Sequence, residues 1–243
     1  MKRKYNWRQS LPDQRDHIFK ATAKKLPTKV DLRPLCSPIV NQGSIGSCTG
    51  NALSGALDYL DIQDGTYVPA SRLFIYYNER VLEGTVTEDA GAEIRTGIKT
   101  LNKLGSCNES TWKYSKTNLF KKPTKKAYAE AQTRTISEYK SIRSFNSLLA
   151  CLASGYPVAF GYMVYESFES AQVTKTGIMP IPAITERAVG GHAVLAVGYD
   201  QKTKMVIVRN SWGTRWGDQG YFYMPFDFIS NKDLASDFWM IKR

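Results

Sequence analysis

The chain is short of the residues that several function classes require. Nowhere in its 243 residues is there a run of about eighteen apolar positions, so no membrane-spanning helix is indicated. Histidine occurs twice, as His17 and His192, and the four cysteines, Cys36, Cys48, Cys107 and Cys151, show no CxxC or other metal-ligand spacing. No metal and no other cofactor is therefore expected. Met1-Lys2-Arg3-Lys4 looks like the basic start of a secretory signal, but no apolar stretch follows, because Tyr5 to Lys25 is mostly polar and charged. The expected location is the cytoplasm, or outside the cell by a non-classical route. Acidic residues are outnumbered 22 to 33 by Lys and Arg, a net charge of +11. That balance invites a polyanion. The lysines are nevertheless dispersed, and the one local run, Lys121, Lys122, Lys125 and Lys126, lacks interleaved aromatics. It reads as a solvated basic loop, and no nucleic-acid partner is expected.

What is present divides into two grammars. Residues 1–28 are a polar extension carrying two aromatics, Tyr5 and Trp7, which suggests that it docks on something. The compact part begins near Val30. From Cys48, residues Ala52, Leu53, Ala56, Leu57 and Leu60 recur at helical spacing. A second helix is predicted over Pro69–Val81 with Ser71 near its cap, and a third over Ala92–Leu104, ended by Gly105. Ser106 to Lys126 reads as turns, and Phe145–Ala153 as a short helix. Thereafter Val158–Val164, His192–Tyr199, Met205–Asn210, Gly220–Met224 and Asp237–Lys242 read as strands, rich in Val, Ile, Tyr and Phe. The expected class is α+β: a mainly helical lobe over about 40–120, an antiparallel β lobe over about 135–243, and a cleft between them.

The chemistry centres on Gln42-Gly43-Ser44-Ile45-Gly46-Ser47-Cys48, a loop that feeds a cysteine into the first turn of a helix. A helix N-terminus favours thiolate over thiol, and the thiolate is the nucleophile. Such a nucleophile needs a base, and the base an orienter. His192 follows Gly190-Gly191 at the start of a strand, unobstructed by neighbouring side chains, whereas His17 lies in the polar extension. Asn210 ends a strand in Asn210-Ser211-Trp212-Gly213, ahead of Trp216-Gly217, and is expected to hold the imidazole through Nδ1–H.

These motifs resemble papain-like cysteine peptidases. His192 follows Cys48 by 144 positions, within the spacing known for that family, and Asn210 by 162. The resemblance runs from Val30 onward, with Val30-Asp31-Leu32-Arg33 like a mature start and Thr176-Gly177-Ile178 like the strand before the histidine loop. It implies a two-lobed fold, residues 29–243 as a peptidase domain, and hydrolysis of peptide bonds by a monomer acting on protein or peptide substrates. Cys48 is then the nucleophile, His192 its base and later acid, Asn210 the orienter and Gln42 an oxyanion donor. Trp212 shields the Asn–His bond. Gly46, Gly91, Gly190, Gly191 and Trp216 border the substrate, with Gly161, Ala92 and Glu93 near the pocket for the second residue before the cut.

Three positions depart from the family pattern. Ile45 stands where a disulfide cysteine is usual, Thr49 where an aromatic is usual, and Gly191 where Asp or Asn is usual. Residues 1–28 are too short for a long helical pro-domain, and are expected either to inhibit as a compact pro-segment or to dock permanently. Two rivals share these residues: a deconjugating or acyl-transfer enzyme, and a non-catalytic peptide-binding module.

Overall fold

A computed structural model describes residues 3–21 and 25–243. Helix α1, Cys48–Gln63, is buried on every side from Cys48 to Asp61, because its small residues let neighbours approach closely. α2, Arg72–Glu83, begins where the Ser71 hydroxyl accepts the Phe74 N–H at 3.1 Å, and stops at Gly84 with φ of 71°. α3, Ile94–Lys103, turns Ile94, Ile98 and Leu101 inward against α1 and α2. The remaining helices are short: α4 Lys125–Ala131, α5 Phe145–Ala153, α6 Ala171–Thr176 and α7 Phe226–Ile229.

Among the described residues, seven strands form one antiparallel sheet: β1 Lys29–Asp31, β2 Glu138–Ile142, β3 Val158–Tyr165, β4 Ala188–Asp200, β5 Met205–Arg209, β6 Tyr221–Pro225 and β7 Ala235–Lys242. The order is β2-β7-β3-β4-β5-β6. β4 is long enough to pair with β3 over Ala188–Ala196 and with β1 over Gly198–Asp200, while β5 takes its other edge. His192 therefore sits in a central strand, opposite Tyr162. The lobes share an apolar interface in which Leu53, Ala56 and Leu57 of α1 meet Ala193, Leu195, Val197 and Ile207. Burying each large side chain there is worth about 1.5–3 kcal/mol. Among the described residues, no helix is long and apolar enough to cross a membrane.

Three local expectations fail. Lys125 and Lys126 belong to α4, which forms because Thr124 caps it, accepting the Ala127 N–H at 3.2 Å. β2 was not expected, since its half-exposed residues give no clear alternation. Thr176-Gly177-Ile178 is no strand: Gly177 is the left-handed cap of α6 (φ 70°), and Ile178 makes an isolated bridge to Tyr223.

Candidate active site

Each lobe contributes one wall. On the helical side, the loop before α1 is pinned by side chains distant in sequence. The Tyr114 hydroxyl lies 2.6 Å from Ser47 Oγ and donates to the Gln42 carbonyl at 2.9 Å. Asp89 accepts the Gly46 N–H at 3.0 Å, and Asn51 Nδ2 donates to the Ser47 carbonyl at 2.8 Å. Ser47 is thus the N-cap residue of α1 with its hydroxyl committed to this network rather than to the helix. Ile45 fills the place beside Leu73, Phe74, Tyr76 and Cys107, packing by apolar contact. All four cysteines are free thiols.

On the β side, His192 is fully buried and stacks on Trp212, with ring centroids 4.9 Å apart and planes 25° from parallel. Its Nε2 lies 2.9 Å from Asn210 Oδ1, which also accepts the Ser211 N–H. The carboxamide oxygen is an acceptor, so the imidazole proton resides on Nε2. This corrects the expected Nδ1 attachment: Nδ1 is the nitrogen left buried and, among the described residues, without a partner, its lone pair available. Trp216 lies one layer back, 3% exposed, against Trp212, Phe168 and Phe222.

The two walls meet at the reacting groups. Cys48 is buried in the same packed cluster as Ala193, next to His192, and the Ala193 N–H favours the anionic form of its sulfur. Ser211, next to Asn210, donates from Oγ to Gln42 Oε1 at 2.5 Å. That bond turns the Gln42 carboxamide so that Nε2 faces its own loop, donating to the Ile45 carbonyl at 2.9 Å with one N–H to spare. The Gln42 N–H in turn reaches the Ser211 carbonyl at 2.8 Å. Cys48, His192, Asn210 and Gln42, scattered over 169 residues of sequence, converge at one seam.

The extension crosses that seam. The Trp7 N–H donates to the Gly191 carbonyl at 3.0 Å and the Arg8 N–H to the Ala92 carbonyl at 3.3 Å. The Trp7 side chain fills a slot where a Cβ at Gly161 or Gly191 would overlap it. Likewise a Cβ at Gly91 would strike Asn6, and one at Gly190 would strike Tyr5. Gly46 faces Asn6 and Asp89. Gly91, Gly161, Gly190 and Gly191 have no room for a side chain because residues 5–7 occupy that space. Tyr5 sets its ring edge-on to His192 and Trp212, and Arg3 lies 4.0 Å from the Trp212 ring centroid. Glu93 precedes α3 as its N-cap and donates its backbone N–H to Glu83 at 2.9 Å.

Covering the seam dehydrates it. Burial pushes the Cys48 thiol up to about 12, outweighing the Ala193 N–H, and lowers His192 to about 4, outweighing the Asn210 bond. Both groups are neutral around pH 7 while the arm is down. Behind Cys48, fully buried Glu79 accepts the Thr49 hydroxyl at 2.6 Å, and burial raises its carboxyl to about 8. The polar partners Ser211, Tyr114, Asp89 and Glu79 were missed as site residues by sequence reasoning. Ser211 was the one within reach, since it directly follows Asn210.

A family model described as papain family cysteine protease matches residues 26–237. An uncharacterised peptidase C1-like protein of Acanthamoeba polyphaga mimivirus is 42% identical, the alignment covering 99% of this chain and 87% of the relative. Cysteine proteinase 3 of Entamoeba histolytica is 28% identical, covering 89% of this chain and 68% of the relative. Among solved structures, xylellain, a cysteine protease from Xylella fastidiosa, superposes with a TM-score of 0.94 at 42% identity, covering all of this chain and 98% of that one.

Proposed function

The chain belongs to the papain family of cysteine proteases, and on that premise we propose how its residues divide the work of peptide hydrolysis. His192, protonated on Nε2, takes the Cys48 proton on Nδ1. The thiolate attacks the scissile carbonyl, and the imidazolium then protonates the leaving amine. Water, deprotonated by the same nitrogen, hydrolyses the thioester. Gln42 Nε2 and the Cys48 N–H receive the oxyanion, Asn210 fixes the imidazole, and Trp212 keeps water from their bond. Gly46, Gly91, Gly190 and Gly191 let a substrate backbone approach, with Trp216 supporting the wall from behind. The peptidase domain is residues 29–243, and the four free thiols suit a reducing compartment. The observation that carries this reading is the hydrogen bond of 2.9 Å from His192 to Asn210, with Cys48 buried in the cluster that holds Ala193, the residue after His192.

The test is a papain-type epoxide inhibitor with a casein and a fluorogenic dipeptide assay on wild type and Cys48→Ala. Labelling and turnover, slow in full-length wild type while the arm is down and faster in Trp7→Ala, are expected to be lost in Cys48→Ala, turnover by a factor of about 10⁴ or more. Turnover that survives in the variant contradicts the assignment.

Residues 3–10 act as an autoinhibitory arm. They fill the cleft and, by excluding water, hold Cys48 and His192 neutral; lifting them restores the hydration that an ion pair of thiolate and imidazolium needs.

A further inference from the structure

The arm and the cleft are complementary in charge as well as shape. Arm cations meet cleft carboxylates at three points: Lys4 Nζ lies 2.7 Å from Asp89 Oδ2, Arg8 pairs with Glu83, and Arg3 lies 3.9 Å from Glu169. Asp89 and Glu83 are not casual surface acids. Their side chains are only 8% and 11% exposed, and neutral donors hold them in place. Asp89 accepts the Tyr76 hydroxyl at 2.7 Å and the Gly46 N–H, and Glu83 accepts the Glu93 N–H. Those donors fix geometry without cancelling charge. Among the described residues, the cations in ion-pair reach of both carboxylates come from the arm. Arg80, whose charge Asp89 feels, directs its N–H groups to the carbonyls of Tyr76, Val86, Glu88 and Leu119. Burial raises the Glu83 carboxyl and Arg8 opposes that shift.

When the arm lifts, two carboxylates held in fixed positions in the cleft lose their counter-charges. A substrate that seats in place of the arm covers these carboxylates again, and a cation on it restores the lost pairing, whereas a neutral or anionic side chain leaves them covered and unpaired. The protein as a whole, at net +11, works against cations, so this acidic patch is a local device and not a reflection of overall charge. Resting on the reading of this cleft as the peptidase groove, we infer that Asp89 and Glu83 make the enzyme selective for cationic peptides, with Lys or Arg beside the side chain that fills the Gly161–Gly191 slot. The arm segment Arg3-Lys4-Tyr5-Asn6-Trp7-Arg8 is an intramolecular imitation of that substrate.

The test uses full-length wild type and full-length Trp7→Ser, which vacates the slot. Both are treated with matched peptidyl epoxides that differ only by Arg, Gln or Glu at each position beside the slot residue. The second-order rate of Cys48 labelling is the readout, so rare opening of the wild-type arm still reports. At one position or more, Arg is expected to exceed Glu about tenfold. The ratio should fall severalfold in Glu83→Gln or Asp89→Asn and on raising salt from 0.05 to 1 M, on the order of a threefold-shorter Debye length or more. Glu88→Gln, an exposed neighbour outside the cleft, should leave it in place. Labelling at Cys48 that is indifferent to probe charge overturns the selectivity while sparing the active site. Absence of Cys48 labelling in both proteins, folded by circular dichroism, overturns the active-site reading and the selectivity with it.

Discussion

The two walls of the cleft are built on opposite principles. The helical wall is a polar clamp, in which Tyr114, Asn51 and Asp89 hold the backbone from Gln42 to Cys48 by hydrogen bonds to specific atoms. The β wall is an aromatic laminate: Trp212 stacks on His192, with Phe168 and Trp216 behind, and the His192–Asn210 bond runs through it. The difference follows from what each wall presents. Oxyanion donors are backbone and amide N–H groups whose directions must be fixed, and hydrogen bonds fix directions. A general base needs a chosen tautomer and a dry surrounding, and aromatic packing supplies dryness at the cost of leaving Asn210 Nδ2 and Trp216 Nε1 without partners.

The contrast is broken most severely at Gln42. Gln42→Ala removes one donor from the clamp and should lower kcat by about 10²–10³, while alkylation of Cys48 by a small reagent, which forms no oxyanion, stays close to wild type. Equal losses in both assays would mean that Gln42 organises the whole seam rather than the transition state. On the other wall, Trp212→Leu admits water to a single hydrogen bond, whose net worth is about 1 kcal/mol, so kcat should fall only about tenfold or less. Its mark is a shifted pH–rate profile, which Gln42→Ala should not show; unchanged profiles in both variants would remove the distinction between the walls.

How legible each wall was in the sequence follows from the same contrast. Helices α1, α2 and α3 announce themselves by periodicity, and Ser71 by its cap chemistry. The β strands are runs of Val, Ile and aromatic residues, so the two-lobed class could be read directly. Cys48, His192, Asn210 and Gln42 stand out because each sits in a glycine- or tryptophan-marked motif. Tyr114 does not, because nothing local distinguishes a tyrosine that bonds Gln42 from one in an ordinary turn. The slot for Trp7 is equally hidden: Gly161 and Gly191 become neighbours only through β3–β4 pairing. The choice of Nε2 over Nδ1 depends on ring orientation, which no spacing encodes. α4 escaped notice because two lysines begin it, where a helix N-terminus disfavours positive charge.

Closure of the arm joins the two walls, and its central consequence is that Cys48 and His192 are neutral while Trp7 is seated. The pH dependence of Cys48 alkylation, in full-length wild type and in full-length Trp7→Ala, tests this directly. Loss of a buried tryptophan typically costs about 3–5 kcal/mol, enough to favour the lifted arm by on the order of 10²–10³. In wild type the thiol is held up to about 12, so the alkylation rate should be low near pH 7 and climb through the alkaline range. In Trp7→Ala, the hydrated pair ionises together, so the rate at pH 7 should rise on the order of 10²-fold and lie on a plateau there. Superimposable profiles, with Cys48 already reactive at pH 7 in wild type, would contradict autoinhibition by the arm.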